Sequence, residues 1–170
     1  MNDEPRVSLE PSILPGFESR ILEFLSSLIT KMPAGAAELK ISRVPGQPDW
    51  PEPYFEVRPT KPNAGPFSGI IRDGDGIDLT VGARGTRELR YEGGNFVNGL
   101  SCEEEFAEIC RVVTIEGFVE EVVHDEHGGL VYAEATVLAF GKEITFGSGR
   151  WLPLPFLTWD KRRVQHSPYF

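Results

Sequence analysis

The chain is short of cysteine, of histidine and of long apolar runs, and each shortage removes a class of answer. Its 170 residues include two cysteines and three histidines. Cys102 and Cys110 lie on a stretch with helical periodicity, which sets them about 12 Å apart along the axis, beyond disulfide reach. No apolar run approaches the roughly 18 residues that a membrane-spanning helix needs. Residues 1–10 also lack the apolar core of a secretory leader. Two reduced thiols without such a leader fit a cytoplasmic protein that is not membrane-bound. Cations are missing where they would matter most: residues 101–126 hold nine carboxylates against Arg111 alone, so nearly all of the net charge of −9 sits there. Such a field repels nucleic acid, excluding it as a partner, and draws basic partners from a distance.

What is abundant is punctuation. The 14 prolines and 18 glycines imply many turns, while 11 phenylalanines and three tryptophans supply large buried areas. A chain of this length suits one domain, residues 1–170, with a mobile arm at about 1–12. Phe17, Ile21, Phe24, Leu25, Leu28, Ile29 and Met32 recur at helical spacing and predict a helix over 16–32, stopped by Pro33 and Gly35. Leu39 and Ile41 alternate with polar residues, as in a strand with one wet face. The seven prolines between Pro45 and Pro66 read as an irregular crossover or edge in which only 54–57 has strand character. A meander follows over 67–72, 77–81 and 86–91, with Asp-Gly and Gly turns, and then a glycine-rich loop over 92–99.

Ser101 reads as an N-cap with Glu104 three residues on, ahead of an apolar stripe of Cys102, Phe106, Ile109, Cys110 and Val113. A second helix is expected over 101–114. Strands are expected over 118–123, 130–140 and 143–146, with a turn at 127–129 and a tight turn at Gly141-Lys142. In the longest, Val131, Ala133, Ala135, Val137 and Ala139 share one face, small enough for a helix to approach closely. Tyr132, Glu134, Thr136 and Leu138 share the other. The aromatic, proline-broken tail from Arg150 should wrap the sheet. These elements predict an α+β fold: a largely antiparallel, twisted sheet of six to eight strands with two helices packed on one face.

The motifs that resemble chemistry have plainer readings. His124-Asp125-Glu126-His127 holds metal-ligand types, but residues three apart on a strand face opposite ways, so a polar turn explains it. Asp73, Asp75 and Asp78 fail the calcium-loop register, with Asp78 where glycine is required. Gly147-Ser148-Gly149 is not a nucleophile elbow. Neither metal nor cofactor is expected. Cys102 at a helix start is opposed by three glutamates and reads as a packing residue. Lys161-Arg162-Arg163 are too few for a nucleic-acid surface and should pair with the chain's own carboxylates. Glu120 and Glu121 are neighbours on a strand and face apart. Glu134 beside Tyr132 is a candidate acid or base, although a cross-strand ion pair with Lys142 or an arginine explains it as well.

Charge and size favour a small acidic binding protein that engages a basic protein partner through Glu103, Glu104, Glu105, Glu108, Glu120 and Glu121. An immunity or antitoxin protein that covers a cationic nuclease is the concrete form. A solubilising surface explains the same charge run. Two other classes stand beside it. One is a small-molecule-binding or enzymatic domain with a pocket between the sheet and helix 16–32, carrying Tyr132 and Glu134. The other is a structural module that self-associates through its aromatic tail.

Overall fold

The structure is a computed structural model that describes residues 16–43, 52–72, 76–90, 102–148 and 159–170. The N-terminal arm, Ser101 with its capping box, Asp73, Asp75, the loop 92–99, and Trp151 and Phe156 of the tail lie outside the described residues. Among the described residues, two helices and nine strands run in the order α1 (Gly16–Lys31), β1 (Ala37–Arg43), β2 (Pro53–Pro59), β3 (Phe67–Arg72), β4 (Gly76–Val81), β5 (Gly85–Arg90), α2 (Cys102–Ile115), β6 (Phe118–His124), β7 (Leu130–Ala139), β8 (Lys142–Ser148) and β9 (Asp160–His166). The fold is α+β. All nine strands form one antiparallel sheet ordered β1-β2-β3-β4-β5-β8-β7-β6-β9. Among the described residues Thr86 and Gly147 make the register pair between β5 and β8, where the two halves of the sheet meet.

Both helices form where the apolar stripes fall. Ile21, Leu22 and Leu25 of α1 are buried, and so are Cys102, Phe106, Ile109, Cys110, Val112 and Val113 of α2. Phe106 sits edge-on to Phe24 of α1 at 5.7 Å and to Phe55 of β2 at 5.7 Å, joining both helices to the sheet in one core. Such edge contacts add about 1 kcal/mol to the area term. The small face of β7 behaves as its composition suggests: Ala133, Ala135, Val137 and Ala139 are buried and α2 packs over β7. Both cysteines are buried free thiols. Burial, then Glu105 and Glu103, push the Cys102 thiol up to about 12, which makes it a packing group and not a nucleophile.

Three local expectations need correction. The segment 54–57 is not an edge: β2 is paired on both sides, to β1 and β3, and its prolines stand at the two ends where no inner ladder bond is lost. The tail does not only wrap, because 160–166 is a ninth strand along β6. The tight turn after β7 is Phe140-Gly141, since Ala139 pairs with Lys142.

The sheet is strongly curved. β6 and β9 stand at one end of the strand order, yet the main chain after β9 reaches the other half. Ser167 N–H donates to Asn63 O at 2.8 Å, Tyr169 N–H to Thr114 O at 2.9 Å, and the Tyr169 hydroxyl to Gly65 O at 2.9 Å. Gly117 makes this closure sterically possible. It leaves α2 with φ +80, and a Cβ on it would lie 2.1 Å from His166 O.

Candidate functional site

A charge run on a strand must split between two faces, and β6 splits it at Glu120 and Glu121. Glu120 is 4% exposed on the inner face. Its Oε1 accepts the Ala83 N–H at 2.6 Å and its Oε2 meets His166 Nε2 at 2.9 Å, while the His166 ring stacks on Phe118 at 4.4 Å. Gly82 cradles the carboxylate: φ is +75 and a Cβ there would sit 2.4 Å from Oε1. The group therefore ties the turn at 82–84 to β6 and β9 across the curved sheet. Glu120 is not a surface contact residue, and that expectation is corrected by this closure, which brings a backbone donor to it.

Five other glutamates of the acidic stretch meet cations of the same molecule. Glu103 pairs with Arg20 of α1 at 2.6 Å, Glu105 with Arg87 of β5 at 3.3 Å, and Glu108 with Arg111 at 2.7 Å. Glu116 also reaches Arg111 at 3.1 Å, and Glu121 reaches Lys161 at 2.5 Å. Beside Arg111, the Glu108 carboxyl is held below the usual carboxylate range. Glu104 is exposed on α2. The intended contact set thus contains one inward group and four compensated ones. As expected from the sequence, Lys161 and Arg162 pair at home, Arg162 with Asp160 at 2.6 Å.

Tyr132 and Glu134 do come together, but on the face turned away from α1. The Tyr132 hydroxyl donates to Glu134 Oε2 at 2.6 Å, which with burial pushes Tyr132 up to about 12. Leu22 and Leu25 of α1 are buried in the core, while Ile21 and Phe106 line a hollow of about 510 Å³ with Arg20, Phe24 and Glu103, and its lining does not include Tyr132 or Glu134. On the outer face the register sets Arg163 against Glu121 and Glu121 against Glu134, with Gly147 beyond, where no side chain closes the row. Beside this row lies a hollow of about 410 Å³ whose lining includes Glu121, Glu134, Leu138, Glu143, Arg163 and Gln165, with Glu116, just past the end of α2, also contributing. Four carboxylates line it with one guanidinium, and two of the four, Glu116 and Glu121, also pair with Arg111 and Lys161. Glu143 and Arg163 were legible as members of this face only once the strands had a register.

No protein-family model matches the chain. No curated protein and no solved structure matches it either. What the site can do follows from its own residues.

A second hollow, of about 690 Å³, lies at the β6-β7 turn beside His124, Asp125, Glu126, Trp159, Asp160 and Arg162. Asp125 is engaged by the turn itself, accepting Gly129 N–H at 2.7 Å and His127 N–H at 2.9 Å, and those donors hold its carboxyl below the ordinary range. Among the described residues, His124 Nδ1 and Trp159 Nε1 are buried from solvent and have no hydrogen-bond partner. No group of three metal-ligating side chains is assembled among the described residues, and no described helix is long and apolar enough to cross a membrane. Of the tail residues expected to form an association surface, Tyr169 is buried at 2% exposure and Phe170 is exposed.

Proposed function

We propose that the chain is a binding module for a basic protein partner and that its contact face is the outer face of β9-β6-β7-β8. An immunity or antitoxin role, covering the cationic surface of a nuclease, is the concrete form of the reading. The observation that carries it is the open hollow with Glu121, Glu134 and Glu143 arrayed across three adjacent strands. Glu121 and Glu134 stand in register on neighbouring strands, ~4.8 Å apart, while Glu143 lies opposite Leu138, four residues further along β7, a spread that suits the cations of a polypeptide laid over the sheet. Long-range attraction from the acidic surface steers such a partner in, and screening by salt weakens it. Glu103, Glu104, Glu105 and Glu108 of α2 do not line this hollow and add to the field more than to the contact.

The probe is a peptide of alternating arginine and glycine, about eight residues or ~26 Å when extended, titrated into the isotopically labelled protein and followed by chemical shift. Binding that perturbs β6, β7 and β8 and fades as salt rises through ~0.15 M is expected. The double substitution Glu134→Gln, Glu143→Gln should weaken it by about tenfold, on the order of 1.4 kcal/mol. Unchanged binding in that variant, with loss in Glu104→Lys, would move the contact to α2 and overturn the assignment of the face.

A further inference from the structure

The acidic hollow has an apolar end that folding does not explain. Phe140 and Gly141 form a two-residue hairpin turn with φ of 52° and 68°, the geometry in which Asn and Gly are favoured because both central residues need positive φ. A bulky side chain is disfavoured there. The backbone of Phe140 lies toward the Glu108 carboxylate of α2 and adds to the lowering that Arg111 causes. Nothing in the core rewards the phenyl ring: Phe140 is 42% exposed, and Leu138, two residues earlier, is 58% exposed. Their surroundings meet the docking face at Glu143, and the hollow beside Phe140 also takes in Arg87 of β5 and Glu105 of α2. Glu143 pairs in register with Leu138, lines the acidic hollow with it, and also lines a hollow of about 360 Å³ with Phe140.

We infer that Leu138 and Phe140 are the apolar anchor of the docking face, and that the partner segment carries apolar side chains between its cations. The inference rests on the proposed function. Two chemistries then divide the work in the way protein interfaces usually do: rim charges set the approach, and a few desolvated large side chains set the residence time. A strained, exposed aromatic retained at a turn is the kind of local conflict that persists at functional surfaces.

The test compares the arginine-glycine peptide with an arginine-leucine peptide of the same length and charge. The leucine peptide should bind at least about tenfold more tightly to the native protein, the scale of one interface anchor. Phe140→Asn should remove that advantage and leave the affinity for the glycine peptide as it was. Phe140→Asn should also raise Tm, because asparagine suits the turn, so lost affinity cannot be assigned to unfolding. Equal affinity of the two peptides, or an undiminished advantage in Phe140→Asn, overturns the anchor while the glycine peptide still reports the docking face. If neither peptide binds, the face and its anchor fall together.

Discussion

Glu120 and Glu121 are the same residue type, adjacent on one strand, and they illustrate two uses of a carboxylate. Glu120 points into the curved sheet, where a backbone N–H and an imidazole hold it and Gly82 leaves room for it. Glu121 points outward and pairs with Lys161 within reach of solvent. The inner group is a joint between distant strands and the outer one belongs to a surface. A run of acidic residues in a sequence is therefore not one feature. Where it passes through a strand, the period of two divides it between architecture and contact.

The sharpest way to break that contrast is to remove the inner carboxylate. Glu120→Ala leaves Ala83 N–H and His166 Nε2 without their buried acceptor, and loss of one partner from such a set costs about 3 kcal/mol. Chemical denaturation should register that loss, with Tm falling by roughly 6–12 °C for a chain of this size. Glu120→Gln keeps one acceptor oxygen and should lose about half as much. A cost for Glu120→Ala no greater than that of an exposed ion pair would show that the joint between the sheet ends is not needed.

The parts of the fold that were legible in the sequence are those decided locally. The stripe from Phe17 to Leu28, the apolar positions behind Cys102 and the small face of β7 each carry their own periodicity, and the core follows from them. β9 was not legible, because Asp-Lys-Arg-Arg-Val-Gln-His holds a single apolar residue and an edge strand exposed along its length needs no alternation. β2 was masked by prolines whose effect depends on neighbours that only the sheet supplies. Of the site, the pairing of Tyr132 with Glu134 could be read from their spacing, but the face they share could not. Glu120 could not be separated from Glu121 either, since the donor that selects it is Ala83, 37 residues away in sequence.

A second perturbation sharpens the outer half of the contrast. The hydrogen bond to Glu134, followed by burial, pushes Tyr132 up to about 12, from an ordinary value of 10.0. The folded state thus favours the protonated phenol. The stability it contributes is whole below about pH 10 and is lost as pH rises toward about 12, because the unfolded chain releases its proton first. Phenolate absorbance should show this tyrosine titrating late in the native protein and earlier in Glu134→Gln, with the alkaline loss of stability reduced. An unmoved titration in that variant would mean that burial, and not the carboxylate, controls the phenol.

The smallest effect is expected where the sequence places the most charge. Glu121→Gln removes an ion pair whose members both retain solvent contact, at 33% and 47% side-chain exposure. Screening and side-chain entropy hold such pairs to within about 0.5 kcal/mol. Denaturation midpoints of Glu121→Gln and the native protein should therefore nearly coincide, while the arginine-glycine peptide binds the variant more weakly because one carboxylate of the outer row is gone. If Glu121→Gln instead destabilised the fold as much as Glu120→Ala, the outer carboxylate would be as architectural as the inner one. The division of β6 into a joint and a contact face would then fail at the residue where the two meet.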